Sequence, residues 1–395
     1  MVSTNHASDR SERGISRRSL FGGAGALALG GVVTACGGPA AQSTSKSKVT
    51  NSDGKKLRRI TLSYGVPTLD TTTAWFGAIP RALGFYEQHG LSVEIEGLQG
   101  GTASVAALTT NRSQLATQST QVIFTSVDRG VELKGVMCQI PGDFIGIAVS
   151  DSSPITEESQ LADYLRGKTI GTNAIGGSPD IEVRAVVKHM GLEPDKDVKF
   201  LAVGTGTPAL HALQKGRVTA LGLWAMIYAN FEAQGTKLRI FRPDPLSKLG
   251  FQHATVATQA MVDDDPELVL SYCKAVAKSL AFLSAADPTE IVKLHYRLYP
   301  AAKPQGMSSA RAVEIGTKVL KSVMPYLELD KRMQEGQLLG DMEDSKITAV
   351  GELLRGADTI KKVETPSAYF TRQFLEEAND FDRDAIVAQA KKFSA

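Results

Sequence analysis

The sequence predicts an α/β fold, because strand-like and helix-like segments alternate along most of its length with glycine-rich turns between them. In the clearest segment, Leu91, Val93 and Ile95 alternate with polar residues, which is the period-two pattern of a strand. A Gln-Gly-Gly-Thr turn at 99–102 follows where that strand should end, and it opens a helix. A second strand–turn–helix joint lies at 170–180. Ligands of open α/β sheets commonly lie beyond the carboxyl ends of strands, against helix N-termini, so both turns are candidate ligand contacts.

The composition is that of a soluble globular protein, and its charge gives no support for nucleic-acid binding. The 395 residues carry a formal net charge of +2. Four arginines and two acidic residues lie within the first 35 positions, which leaves basic and acidic residues equal in number over the remainder. Three cysteines are too few for a disulfide scaffold.

The first 56 residues read as an export signal and a tether. Arg17 and Arg18, within Ser-Arg-Arg-Ser-Leu-Phe, resemble a twin-arginine signal, and the 16-residue apolar run after them is too short to span a membrane. The run ends in Val-Thr-Ala-Cys, which resembles a bacterial lipobox, so Cys36 is the expected lipidation site; a retained anchor or a coincidental cysteine is the alternative. We therefore expect a signal peptide over 1–35, a flexible tether over 36–56 and an extracytoplasmic protein held at the membrane by palmitate-type lipid.

Four segments resemble the solute-binding proteins that serve ABC importers of nitrate, sulfonates, taurine and thiamine-pyrimidine precursors. They are GFYEQHGLSVEI with its following GG (from 84), LRGKTIG (from 165), ALQKGRVTALGLW (from 212) and YFTRQFLEEANDFDRDAIVAQA (from 369). The resemblance extends over 59–395. It implies a two-lobed, type II periplasmic-binding-protein fold whose helical C-terminal segment packs on lobe one. It also implies a small-molecule ligand, ABC permease and ATPase partners, a monomeric chain and no cofactor.

The resemblance and the strand patterns together divide the globular part into three stretches. Lobe one should begin over 57–150, lobe two should cover 151–248, and 249–395 should return to lobe one and add the C-terminal helices. Apolar runs at 144–150 and 251–259 are the expected crossings between lobes.

In lobe one, the family places ligand contacts in the loop after the first strand, here Thr68, Leu69 and Asp70. Gly101 and Thr102 are the candidates at the glycine turn, where a plain tight turn is the alternative. The exit of the third strand contributes Thr117, Gln118, Ser119 and Thr120, which match the polarity of the family segment but lack its glycines; an ordinary helix cap is the alternative there.

Trp75 is either a core residue or an aromatic wall of the ligand site. Pro80 is tolerated only in the first turn of a helix, so the sequence predicts a helix that begins near Ile79 and leaves 72–76 in a loop reaching into the cleft.

In lobe two, the glycine-rich turn leads into a helix with Ser178 as the expected N-cap and Pro179 at the first helical position. This helix N-terminus should face 100–104 across the cleft. Trp224 is the best aromatic candidate, with a packing role as the alternative. The remaining candidate contacts here are Asn173, Gly176, Gly177, Ser178 and Asp180.

The candidate residues favour an uncharged or cationic heterocyclic or aromatic ligand, such as a pyrimidine precursor. Asp180 lies in the first turn of its helix, where it would compete with a bound anion, and Asp70 adds a second negative charge. No Arg or Lys lies in the contact loops to clamp a sulfonate. Two alternatives would remove the charge of Asp180 from the ligand site: Asp180 points into solvent, or Arg184 pairs with it at helical spacing.

The sequence predicts a binding protein and not an enzyme. It contains no G-x-S-x-G, H-E-x-x-H or C-x-x-C motif, its six histidines have no metal-ligand spacing, and the histidine- and cysteine-rich motifs of thiamine-pyrimidine synthases are absent. Cys138 and Cys273 are expected to be buried free thiols, with a bridge between them as the alternative. Three other functions stay open: an anion receptor, a ligand sensor, and an enzyme on the same fold with Asp70 and Asp180 as its acid/base pair.

Overall fold

The computed structural model describes residues 49–50, 56–244, 246 and 249–395. The predicted signal peptide, Cys36 and most of the predicted tether lie outside the described residues. Val49 and Thr50, within that tether, pair with Leu57 and Lys56, so the last part of the segment contributes a short strand. No helix in the described part of the chain is long and apolar enough to cross a membrane.

One sheet carries the first lobe. Its strands are hydrogen-bonded in the order β1-β2-β4-β11-β5, with β3 also paired to β2. β2 runs parallel to β3 and β4, whereas β11 is antiparallel to both β4 and β5. The strands are β1 (Val49–Thr50), β2 (Lys56–Tyr64), β3 (Leu91–Gly97), β4 (Leu115–Ser119), β5 (Leu133–Gly142) and β11 (Gly250–Thr258).

A second sheet, in the order β10-β6-β9-β7-β8, carries the other lobe. The link 143–144 leads from β5 of the first sheet to β6 of the second, and the link that begins at Arg242 leads from β10 back to β11, so the chain crosses between the sheets twice. The strands are β6 (Ile145–Ser150), β7 (Thr169–Thr172), β8 (Lys199–Ala202), β9 (Ala220–Trp224) and β10 (Leu238–Phe241).

Helices cover both sheets, which makes this the α/β architecture that the sequence predicts. Those of the first lobe and of the second lobe are α1 (Ala78–Ala82), α2 (Phe85–Gln88), α3 (Gly101–Thr109), α4 (Thr120–Asp128), α5 (Leu161–Leu165), α6 (Ser178–His189), α7 (Thr207–Gln214) and α8 (Ala225–Ala233). Those of the returning chain are α9 (Gln259–Asp264), α10 (Pro266–Leu283), α11 (Pro288–Leu298), α12 (Ser309–Val323), α13 (Leu329–Gln334), α14 (Asp344–Gly356), α15 (Pro366–Tyr369), α16 (Leu375–Ala378) and α17 (Arg383–Lys391).

Helix α10 is the central helix of the returning chain. Asp265 caps it by accepting a hydrogen bond from the Leu268 amide at 3.3 Å, and α16 and α17 pack against it. Cys273 lies fully buried on its apolar face, and Cys138 is buried in β5. Both cysteines are free, so the alternative of a disulfide between them is wrong.

The segment 366–378 forms two short helices, α15 and α16, and not one. Phe370 leaves the helix and forms a β-bridge with Gly135 of β5, and the Thr371 amide donates to the Gly135 carbonyl at 2.9 Å. Pairing with the backbone of the strand replaces the helical hydrogen bonds there and starts α16 afresh at Leu375.

Two helices of the returning chain contact lobe two, which the sequence pattern did not indicate. Helix α12 packs on α8, and α14 packs on α6. One apolar cluster accordingly runs through both lobes, and it includes Ile123 of α4, Val183 of α6 and Leu354 of α14. The returning chain therefore braces the two lobes against each other on either side of the crossing links.

Candidate functional site

Glu182 lies at the centre of a polar cluster where the two lobes meet. It belongs to α6 of lobe two and is only 3% exposed. From lobe one, the Gln121 amide at the start of α4 donates to Glu182 Oε1, and the Gln252 amide on β11 donates to Oε2 at 3.2 Å. The Ser178 hydroxyl lies 3.4 Å from Oε1. A single carboxyl group of one lobe thus receives hydrogen bonds from two elements of the other.

Asp143, in the first crossing link, completes this cluster. It is 3% exposed, and its Oδ1 accepts from the Ile145 amide at 2.7 Å. Burial raises the pKa of Asp143 to about 7, against the opposing effects of the Ile145 amide, of Arg242 and of a hydrogen bond with Glu182. Burial, reinforced by the charge of Asp143, raises the pKa of Glu182 well above its ordinary value. Near neutral pH the two carboxyl groups therefore hold a proton between them.

Arg242 is the cation closest to this pair. Its guanidinium lies 3.8 Å from Asp143 Oδ1 and donates to the Asp143 carbonyl. The same group donates to the Tyr326 hydroxyl at 3.0 Å and lies 4.6 Å from the centre of the Tyr326 ring. Arg242 is thus held by the chain's own groups and offsets one carboxylate of the pair.

Several buried oxygens near this junction have no hydrogen-bond partner in the described part of the chain. All but Thr117, which lies within β4, follow the end of a strand or begin a helix, where ligands of α/β folds commonly bind. A buried polar atom without a partner costs roughly 1–3 kcal/mol, so a set of them indicates a site that an external group completes. The atoms are Thr117 Oγ1, Thr120 Oγ1, Gln121 Oε1, Asp143 Oδ2 and Asn173 Oδ1.

The predicted loop after the first strand is held in place by the fold. Asp70 caps a short 3₁₀ turn by accepting from the Thr72 amide at 2.9 Å, and the Leu69 carbonyl accepts from His295 Nε2 at 2.7 Å. Thr68 is exposed. The carboxylate of Asp70 therefore serves its own turn.

Trp75 packs as a core residue. It is 1% exposed and meets the Phe76 ring edge to face at 6.1 Å. Helix α1 begins at Ala78, close to the predicted start, but the expectation that 72–76 reaches into the cleft is wrong. The large apolar rings of Trp75 and Phe76 bury more surface in the core of lobe one than a cleft loop would allow.

The glycine turn and the exit of the third strand lie together, as the family resemblance implies. Gly100 has a φ of +92°, which favours glycine, and a Cβ at Gly101 would lie 2.6 Å from a methyl group of Val122. The Gln118 amide donates to the Gly101 carbonyl at 3.4 Å. Thr102 is exposed, and Ser119 is the N-cap of α4 without a side-chain cap bond.

The N-cap of α6 lies one residue before the expected Ser178. Gly177 is the N-cap of α6, and the Ser178 hydroxyl turns to Glu182 instead. Gly177 lies against Asn173, whose Oδ1 would be 2.8 Å from a Cβ there. Where the lobes meet, Ser178 and Glu182 contact the first turn of α4 through Gln121.

Asp180 does not act as the free charge on which the ligand argument relied. It is 1% exposed, and it accepts from the Gly176 amide at 2.8 Å and from Arg184 Nε at 3.0 Å. The reading that Asp180 points into solvent is wrong, and the pairing with Arg184 is confirmed. Since its charge is offset and its oxygens are occupied, Asp180 itself gives no argument against an anionic ligand.

Replacing Asp180 by Ala should lower the free energy of unfolding by roughly 1–3 kcal/mol, because the Gly176 amide and Arg184 lose a buried acceptor. The matched control is Asp195→Asn, which removes the charge of the other, 67% exposed partner of Arg184, suits the positive φ of 65° at that position and should cost under about 1 kcal/mol. Urea denaturation measures both; equal losses would contradict the capping role of Asp180.

Trp224 lies at the end of β9 and is the N-cap of α8. It is partly buried and packs against apolar clusters of both lobes. The next residue, Ala225, donates its amide to the Phe144 carbonyl at 2.8 Å, so this corner lies beside the first crossing link.

Sequence reasoning missed the four residues at the centre of the cluster, namely Gln121, Asp143, Glu182 and Gln252. One signal was available for Glu182. It precedes Val183 and lies one turn before Val186, so it falls on the buried stripe of its helix, where an acidic residue needs an explanation. The other three are paired through contacts between distant segments, which no local pattern indicates.

Comparison with known proteins gives the fold and the family. The alkanesulfonate-binding protein SsuA of Xanthomonas axonopodis pv. citri, solved with MOPS, is similar at a TM-score of 0.56 and 15% identity, over 80% of this chain and 98% of that chain. A Candida albicans gene product, described as having the generic periplasmic binding protein structural fold, is similar at a TM-score of 0.55 and 12% identity, over 81% of this chain and 98% of that chain. The desulfurization enzyme DSZB is similar at a TM-score of 0.52 and 16% identity, over 81% of this chain and 99% of that chain.

At these identities the structures show a shared fold, the periplasmic-binding-protein fold, which confirms the predicted fold class. No curated protein matches the sequence significantly. The family model described as NMT1/THI5 like matches residues 78–291, which is more than half of the chain and includes most of the polar cluster between the lobes. The chain therefore belongs to the NMT1/THI5-like family.

Proposed function

We propose that this chain is the extracytoplasmic solute-binding receptor of an ABC importer. It captures a small uncharged or cationic heterocyclic or aromatic molecule between its lobes and delivers it to a permease, which an ATPase drives. The signal peptide over 1–35 and lipid on Cys36 would export the protein and hold it, as a monomer, at the outer face of the membrane.

The observation that carries this proposal is the polar cluster between the lobes. Gln121 and Gln252 of one lobe bind Glu182 of the other, while neighbouring buried oxygens such as Asp143 Oδ2 have no partner in the described residues. A molecule bound there would contact both lobes at once. Contacts made only when the lobes are together shift an open–closed equilibrium, which is how a two-lobed receptor signals that it is loaded.

The ligand preference rests on the charges of the same cluster. Three of the oxygens without partners, on Gln121, Asp143 and Asn173, only accept hydrogen bonds, while the two threonine hydroxyls can donate or accept. The carboxyl groups of Asp143 and Glu182, whose pKa values burial raises, lie at the same junction. Arg242 is already engaged by Asp143 and Tyr326, so it is poorly placed to clamp an anion. SsuA is described as an alkanesulfonate-binding protein, and a sulfonate receptor on the same fold is the competing ligand class.

Native mass spectrometry of the full chain, purified gently from cells, tests the proposal. A co-purified heterocyclic or cationic compound supports it, whereas a sulfonate would refute the ligand class and leave the receptor function standing. If no mass is retained, thermal-shift screening follows, since a ligand at a hundred times its Kd stabilises a protein by about 2.7 kcal/mol. If no heterocycle, no sulfonate and not nitrate raises the melting temperature, the receptor function is contradicted.

An enzyme on this fold is the second candidate, and one observation favours it. Asp143 and Glu182 hold a proton between them where the lobes meet, as an acid/base pair would, whereas Asp70 caps its own turn and Asp180 pairs with Arg184. Incubating the bound compound with the protein and analysing it by mass spectrometry separates the two functions. An unchanged compound supports the receptor; conversion, lost in Glu182→Gln, supports the enzyme.

A further inference from the structure

We propose that Asp143 and Glu182 select a ligand with a cationic nitrogen, an amine or an amidinium group, whose N–H groups donate to the carboxyl oxygens of both residues. This inference rests on the proposed binding function and makes its ligand class specific. It is carried by the burial of two carboxyl groups at the lobe junction, Asp143 in the link between the sheets and Glu182 in α6, and by the missing hydrogen-bond partner of Asp143 Oδ2 in the described residues.

The carboxyl oxygens of Asp143 and Glu182 can accept further hydrogen bonds from a ligand. Asp143 Oδ1 is occupied by the Ile145 amide, but Oδ2 has no partner in the described residues. Glu182 accepts from Gln121 and Gln252, both neutral amides, and each carboxyl oxygen has two lone-pair positions. Gln121 Oε1 is a further acceptor without a partner. A group with several N–H donors and no acceptor, as in an ammonium or amidinium ion, matches this set.

The charges around the pair also favour a cationic ligand. Arg242, from the second crossing link, is the cation beside Asp143 and offsets one negative charge. On α6, Arg184 is held by Asp180 and Asp195, while α4 and β11 present the neutral Gln121 and Gln252 to Glu182. His253, also on β11, is kept neutral because burial lowers its pKa to about 4. With both carboxyl groups ionised, one negative charge is left for the ligand to neutralise.

Binding of a cationic ligand therefore releases a proton. A cation that docks on the pair takes the place of the proton held between Asp143 and Glu182, and that proton leaves to solvent. The N–H groups of the ligand form hydrogen bonds to the carboxylate oxygens, and no covalent bond changes. Affinity for a cation should therefore rise with pH between 6 and 8, because fewer protons compete for the pair at the higher pH.

Three isosteric probes distinguish charge from shape: benzamidine (cation), benzamide (neutral) and benzoate (anion). Thermal shift and calorimetric titration of the full-length protein at pH 6 and pH 8 give the response to each. We expect benzamidine to bind at least tenfold more tightly than the other two, and more tightly at pH 8 than at pH 6. Asp143→Asn and Glu182→Gln should each weaken it at least tenfold, while Glu352→Gln, at an exposed carboxylate paired with Arg355, should not.

Other outcomes overturn the inference. They are tighter binding of benzoate or benzenesulfonate, benzamidine binding that survives in both cleft variants, and the absence of saturable benzamidine binding. Tight binding of benzenesulfonate alone would refute the cationic ligand and leave the receptor function intact. Conversion of a bound compound would instead refute the receptor function.

Discussion

At pH 8 the Asp143→Asn variant should be more stable than the wild-type protein. Burial raises the pKa of Asp143 from 3.8 to about 7, so the carboxyl group contributes stability that is complete below about pH 4 and is lost as the pH rises through 7. The full shift corresponds to roughly 4 kcal/mol, and the variant gives up the interaction with Arg242, so we expect a gain of about 2–4 kcal/mol. Asparagine keeps an acceptor for the Ile145 amide and carries no charge that burial would penalise.

Urea denaturation of both proteins at pH 4.5 and pH 8 checks this result. The difference in the free energy of unfolding should be small at the lower pH and should grow toward pH 8. Glu352→Gln, at a half-exposed surface carboxylate, is the control and should change little at either pH. A variant that is equally stable at both values, or less stable than wild type at pH 8, would contradict the assigned environment of Asp143.

Replacing Phe124 by Ala should lower the free energy of unfolding by roughly 3–5 kcal/mol. The Phe124 side chain is fully buried and stacks on the Tyr369 ring with centroids 3.8 Å apart and planes 14° from parallel. Gly351 of α14 approaches it so closely that an added Cβ would lie 3.0 Å from the ring. The substitution leaves a cavity where α4, α14 and the C-terminal segment meet, and α4 also carries Thr120 and Gln121 of the candidate site.

The control for this prediction is Met307→Ala, since the Met307 residue is 38% exposed and should contribute within about 0.5 kcal/mol. Both variants are compared by urea denaturation at one pH, with the slope of the transition as a check on two-state behaviour. A loss below about 1.5 kcal/mol for Phe124→Ala would mean that the site collapses readily, and that this junction does not brace the lobes as described.

The sequence alone determined the strands, most helices and the order in which the chain visits the two lobes. The alternation of Leu91, Val93 and Ile95 predicted β3, and Pro179 predicted the start of α6, because periodicity and helix-start preferences are local properties. Recognisable segments also predicted the family, whose model matches 78–291. Among the polar residues proposed as ligand contacts, Thr117, Thr120 and Asn173 have buried oxygens that lack partners in the described residues.

Only the tertiary structure decided the chemistry at the centre of the cleft. Asp180 looked like the charge that faces the ligand, but its oxygens are taken by Gly176 and Arg184 on neighbouring turns. The carboxyl groups that do meet between the lobes, Asp143 and Glu182, are 39 positions apart in the sequence. Whether a carboxylate is a cap, an ion-pair partner or a buried acid depends on desolvation and on donors from distant strands and helices. Those quantities exist only once the chain has folded, which is why the sequence did not indicate which carboxyl groups meet between the lobes.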